Sequence, residues 1–177
     1  MKSQTITEPI AKPVDILMSD KSITGGTLLL WGQSPDDTKL VQITLRFANR
    51  EISRAATSYL VALNYIRSEL EKESQLLRCY GNSRNVSSSG MGASMGNGEM
   101  AYRCYLGKKG DMKDLVSIFD SGQDVDPCSL KEQLEFRRQW LLSIGVDPDR
   151  KVYPWKILFL QHPVKTTRLF FKERLNK

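Results

Sequence analysis

Phosphate chemistry is the first possibility the chain raises, because glycines crowd the stretch "NVSSSGMGASMGNGEMAYRCYLGKK" (85–109). Gly90, Gly92 and Gly96 make a G-x-G-x-x-x-G pattern, and such spacing lets backbone N–H groups close on a pyrophosphate at a helix N-terminus. The flanks argue against it. Polar "NVSSS" precedes the glycines and strand-like "EMAYRCYLG" follows them, whereas a dinucleotide motif leaves a buried strand and opens a helix. The chain has no G-x-x-x-x-G-K-[ST] loop and no His-Arg-Asp motif to accompany a kinase-type glycine loop.

Nucleophilic chemistry would fall to Cys79, Cys104 or Cys128, with His162, the single histidine, as base. A reactive thiol needs a lowered pKa and partial exposure, yet the alternating patterns around Cys79 and Cys104 predict burial. The three cysteines are odd in number and none is paired as Cys-x-x-Cys, so reduced, buried thiols are expected. One histidine excludes a two-histidine metal centre. "FDSGQDVDP" sets Asp120, Asp124 and Asp126 close together, but without the glycine and closing glutamate of an EF-hand; turn and helix-dipole roles are expected for them. No catalytic residue, metal ligand or cofactor site is expected.

Binding is the remaining use for the glycine stretch. Met91, Met95 and Met100 set adaptable apolar side chains in or beside the glycines, and Arg84 and Asn85 stand at its entrance. Arg84, Asn85, Met91 and Met95 are therefore the candidate partner-binding residues, on a loop carried by a more rigid scaffold.

The elements that must position this loop read as an α+β chain. Residues 1–13 mix polar residues with Pro9 and Pro13 and are expected as a loose lead-in; residues 14–163 as one domain; residues 164–177 as a basic terminal segment. "TLLLWGQ" (27–33) and "KLVQITLRF" (39–47) predict strands joined through "SPDDT" as an antiparallel hairpin. Ile52, Ala56, Tyr59, Leu63, Ile66 and Leu70 recur at three- and four-residue steps, which predicts a helix over about 49–74, with Arg50, Arg54 and Arg67 on its polar side. Strands are expected at "LLRCY" (76–80), "EMAYRCYLG" (99–107), "DLVSIFD" (114–120) and "KILFLQ" (156–161). A second helix is expected over about 129–144: Ser129 and Glu132 form a capping-box pattern, Gly145 sits at the C-cap, and Leu130, Leu134, Trp140, Leu141 and Ile144 make a buried stripe. The sheet is expected to be mixed or mainly antiparallel and packed against the two helices.

Composition sets the class of partner. The chain is 40% hydrophobic and carries a net charge of +6. From Lys165 onward it has five cations, Lys165, Arg168, Lys172, Arg174 and Lys177, against Glu173 alone, which supplies four of those six charges. The rest is nearly neutral, so a basic stripe across the folded surface is not expected. The tail itself offers a nucleic-acid-binding alternative, with Phe170 and Phe171 set among the cations. No leading apolar run resembles a signal peptide and no window approaches the ~20 apolar residues of a membrane span, so a cytoplasmic protein with no membrane partner is expected.

The segment "CYGNSRNVSSSGMGASMGNGEMAYRCYLGKKGDMKDLVSIFD" (79–120) resembles small bacterial proteins of polymorphic toxin operons that act as immunity proteins. That resemblance covers about a quarter of the chain. It implies a non-enzymatic cytoplasmic protein that neutralises a toxin by direct binding, and it carries over no catalytic residue. The basic tail departs from the acidic character of immunity proteins against nucleases. A basic chain is better matched to a toxin domain with an acidic surface.

Overall fold

A computed structural model of the chain describes residues 8–88 and 96–148. The chain divides after Val146; of the second unit only Asp147 and Pro148 are described, so the fold below is that of the first. The expected strand 156–161, the domain end at 163 and the basic segment 164–177 lie outside the described residues.

The fold is α+β. Strands β1 (Ile10–Leu17), β2 (Ile23–Trp31), β3 (Val41–Phe47), β4 (Arg50–Ala56) and β5 (Leu76–Arg78) form an antiparallel sheet in the order β4-β3-β2-β1-β5. A second antiparallel sheet has the order β6 (Val86–Ser87), β7 (Met100–Arg103), β8 (Leu115–Ser117). Two helices complete the described fold, α1 (Tyr59–Glu71) and α2 (Leu130–Ser143).

The expected hairpin forms, with β2 against β3 in the register Leu28↔Leu45 and Leu30↔Ile43. Alternation then decides the faces. Val14, Ile16, Leu28, Leu30, Ile43, Leu45 and Leu77 point to one side and are buried there against Ala62, Leu63, Ile66 and Leu70 of α1. Gly26 lies in this inward row, where a Cβ would stand 2.8 Å from Ile16 Cδ1 and 2.9 Å from the Arg46 carbonyl; the strands approach too closely there for any side chain.

Two expectations are corrected here. Residues 50–56 are not the start of a helix from 49 but the strand β4, joined to β3 through Ala48 and Asn49, both left-handed at φ 43° and 61°. Consecutive left-handed residues are what a two-residue hairpin turn requires. The helix begins only after Ser58, whose side chain accepts the Val61 N–H. The second correction is β1: residues 10–13, expected as part of a loose lead-in, are its first half. Pro13 is tolerated because β5 pairs with β1 only over residues 15–17, leaving β1 an edge where the proline lies.

Helix α2 forms as expected, with the reciprocal Ser129–Glu132 capping box. Gly145, at φ +75°, closes it in a Schellman arrangement, the Val146 N–H donating to Leu141 and the Gly145 N–H to Leu142. Its stripe differs from expectation. Of the five residues named for it only Leu141 is buried, while Leu130, Leu134, Trp140 and Ile144 are half-buried and a polar residue, Gln133, is buried.

Candidate functional site

The segment from Cys79 to Ser88 leads into the glycine stretch, and the structure straps it down from every neighbouring element. Its first residues form a 3-10 turn, Tyr80–Asn82. The Tyr80 and Gly81 N–H groups donate to the carbonyls of Asp120 and Ile118, each at 2.8 Å. A Cβ on Gly81 would lie 2.5 Å from Leu63 Cδ2 and 3.0 Å from the Ile118 carbonyl, so the turn passes between α1 and the end of β8 only as glycine.

Beneath this turn lies a polar centre that charge type alone conceals. Arg67, expected on the solvent side of α1, is fully buried. Its Nη1 donates to Gln133 Oε1 at 2.5 Å and to the Gly81 carbonyl at 3.3 Å, and its Nη2 donates to the Cys128 carbonyl at 3.0 Å. Glu71, one turn along, approaches Nε at 3.7 Å and accepts the Leu130 N–H at 2.8 Å, tying α1 to the start of α2. Burial lowers the Arg67 pKa and the Glu71 carboxylate opposes that shift; an arginine stays charged here.

Gln133 completes the centre from α2. Its Nε2 donates to three carbonyls of the strapped segment, those of Gly81 (3.1 Å), Ser83 (2.8 Å) and Val86 (3.0 Å). One turn on, Arg137 Nη1 reaches the Ser88 carbonyl at 3.3 Å. The entry to the glycine stretch is thus held by buried side chains of two helices. On the far side Glu99 fixes the exit: its N–H donates to the Gly96 carbonyl, its carbonyl accepts from Ile118, and its carboxylate accepts from Ser117 Oγ. Sequence reasoning passed over Arg67 and Gln133. The available signal was position: Arg67 lies four residues after Leu63 and three before Leu70, on the apolar stripe itself.

Of the candidate partner-binding residues, Met91 and Met95 lie outside the described residues. Arg84 and Asn85 are engaged within the fold. Arg84 Nε pairs with Asp126 at 2.8 Å and its Nη2 approaches Glu132 at 3.5 Å; the Asp126 hydrogen bond raises the arginine's pKa. The Asn85 carbonyl accepts the Cys104 N–H at 2.6 Å and its side chain accepts from Ser83 Oγ.

No protein-family model and no curated protein matches the chain.

The three acidic residues of the 120–126 loop do not converge on a common centre. Asp120 pairs with Lys12 at 2.9 Å, Asp124 accepts from the Tyr80 hydroxyl at 2.7 Å and from Arg103 at 2.9 Å, and Asp126 holds Arg84. The Tyr80 and Arg103 hydrogen bonds hold the Asp124 carboxyl below its usual range. Asp124 also sits in a turn closed by the Val125 N–H on the Gly122 carbonyl, as expected for this loop, and the ion pairs add to that role. Among the described residues no group of three or more His, Cys, Asp or Glu is placed to hold a metal ion, and no helix is long and apolar enough to cross a membrane.

Cys79, Cys104 and Cys128 are buried and in no disulfide, as expected; the Cys104 and Cys128 thiols donate to the Tyr102 and Asn82 carbonyls. Desolvation pushes each thiol up to about 11. At about pH 8 roughly one thiol in a thousand is then ionised, so native protein is expected to react slowly with a thiol reagent. All three should react once the chain is unfolded in denaturant. Rapid stoichiometric labelling of one cysteine in the native state would instead expose a nucleophile.

Proposed function

We propose that the chain is a non-enzymatic binding protein of the bacterial cytoplasm, an immunity protein that neutralises a toxin by direct contact, and that residues 84–98 meet the toxin. The observation that carries this reading is the anchoring of the glycine and methionine stretch. Its entry hangs from Arg67, Gln133 and Arg137, and its exit from Glu99. A recognition loop needs such a base, because any ordering entropy its glycines lose on binding must be repaid by contacts held in register. The neutral, buried thiols and the internally paired carboxylates add support, since neither group is poised to attack or to coordinate. The partner that fits a chain of net charge +6 presents an acidic surface.

The test begins with the neighbouring genes. Co-expression of the chain with an adjacent toxin is expected to rescue growth, and purified toxin is expected to bind the full chain. Met91→Asp and Met95→Asp are expected to leave Tm nearly unchanged while weakening toxin binding at least tenfold, about 1.4 kcal/mol. A large fall in Tm would place the methionines in a core. Unchanged affinity at unchanged Tm would remove the stretch from the interface, and failure to rescue from any neighbour's product would sink the immunity reading.

A further inference from the structure

Three of the six large apolar side chains that stand exposed among the described residues fall within one loop: Tyr105 at 41%, Leu106 at 57% and Met112 at 71%. The backbone explains why they turn outward. Gly107, left-handed at φ +74°, bends the chain so that the Lys108 N–H returns to the Tyr105 carbonyl. The last turn of α2 then grips the bend by its main chain: Trp140 Nε1 donates to the Lys108 carbonyl and Ser143 Oγ accepts the Gly107 N–H, each at 2.8 Å. With the polar atoms of the bend committed to the helix, the side chains beside them are left to solvent. A loop held in this way is preformed, and apolar side chains clustered on it mark a contact surface.

Charge decides what the surface takes. The loop's two carboxylates are already engaged: Asp111 accepts the Lys113 N–H at 3.0 Å, and the buried Asp114 holds Lys108 at 3.6 Å. The same Lys108 ammonium lies 5.3 Å from the centroid of the Tyr105 ring, which draws the two ends of the loop together. Lys109 and Lys113, both exposed, pair with no acidic group among the described residues. Two ammoniums without partners therefore accompany the apolar trio. We infer that this loop docks an acidic segment of a partner protein, one that sets a large apolar side chain beside carboxylates.

Other anionic partners fit less well. Three lysines against two aspartates give residues 105–114 a net charge of only +1, whereas a membrane surface or a nucleic acid is held by several cations at once. Lys108 covers one face of the Tyr105 ring, so that face is closed to a stacking base. Leu106 and Met112 ask instead for apolar side chains. The surface is separate from the glycine stretch, because β7 runs between them, with Gly96–Gly98 before its start and Tyr105 past its end. A partner can therefore engage it whether or not a toxin engages residues 84–98.

The test is selection of random peptides of about 12 residues, displayed on phage, against the full chain. Enriched sequences are expected to place a large apolar residue beside Asp or Glu. A synthetic copy of the most enriched peptide is expected to bind Leu106→Asp or Met112→Asp at least about tenfold more weakly than the parent, and the Lys109→Glu, Lys113→Glu pair about threefold more weakly. Tm should not fall, because all four side chains stand in solvent. Lys131→Glu, an exposed lysine in the first turn of α2, reverses a charge elsewhere and is expected to leave the affinity unchanged. Vesicles of phosphatidylcholine with about one-fifth phosphatidylserine, and a single-stranded DNA of about 20 nucleotides, are expected not to bind at about 0.15 M salt. The absence of any enriched peptide overturns the proposal, as does enrichment of peptides without acidic residues. So do peptides that bind the Leu106→Asp, Met112→Asp double variant as tightly as the parent, a large fall in Tm in either single variant, or vesicle or DNA binding that the double variant abolishes.

Discussion

Arg67→Ala is expected to cost about 3–5 kcal/mol of folding stability, the range for removing one partner from a buried charged network. The loss has several sources that act together. Gln133 Oε1 and the Cys128 carbonyl lose their donor, the Gly81 carbonyl loses one of two, and Glu71 loses its charge partner. The space left by the side chain, fully buried in the native fold, adds a cavity. Urea unfolding at neutral pH should show the midpoint falling with little change in slope. Arg67→Lys separates charge from geometry, because an ammonium cannot serve the Gln133 and Cys128 oxygens with a planar fork. It is expected to recover only a small part of the loss. If Arg67→Ala costs less than about 1 kcal/mol, the guanidinium is exchanging its partners for water and the polar centre described above is not a structural hub.

The parts of this fold that are legible in the sequence are those where one local signal excludes the alternatives. Ser129, Glu132 and Gly145 delimit α2 because a reciprocal cap and a left-handed glycine have few other uses. The β2–β3 hairpin reads from the alternation of Val41, Ile43, Leu45 and Phe47. β4 does not, and the reason is arithmetic: Ile52 and Ala56 are four apart, a separation that shares a face both in a strand of period two and in a helix of period 3.6. Only the left-handed Ala48–Asn49 pair and the Ser58 cap separate the two, and neither residue type is diagnostic alone. β1 is masked by Pro13, whose lost N–H matters only if both neighbouring strands run past it. The polar centre is hidden for a further reason. Arginine and glutamine read as solvent-facing by type, and what brings Arg67 and Gln133 together is a contact across 66 residues that no local pattern encodes.

Gln133→Leu, close to the same volume, is expected to cost about 3 kcal/mol, because it strands polar groups on two sides at once. The amide is oriented by its surroundings. Three carbonyls face Nε2 and the guanidinium faces Oε1, so turning the amide over would set N–H against N–H and oxygen against oxygen. Leucine leaves the Ser83 and Val86 carbonyls without this donor and Arg67 Nη1 without its nearest acceptor. Amide hydrogen exchange should then quicken across 79–88, the segment these bonds hold down, before it quickens in β2 and β3. Because both residues act through the Gly81 carbonyl and through each other, the double variant with Arg67→Ala should be less damaging than the sum, by about 1–3 kcal/mol. Gln133→Glu supplies the sharper sign. Its ionised carboxyl would satisfy Arg67 but set an oxygen against three carbonyls, whereas the protonated form restores a donor. With Arg67→Ala alongside, so that no guanidinium favours the ionised form, burial and the three carbonyls raise that carboxyl's pKa in the folded chain, and its contribution is retained below the unfolded pKa near 4.3 and lost as pH rises through the folded value. The double variant's deficit relative to Arg67→Ala alone should accordingly be smaller near pH 4 than near pH 7. A deficit that is flat across that range, or larger in acid, would mean that the three carbonyls are not facing this side chain.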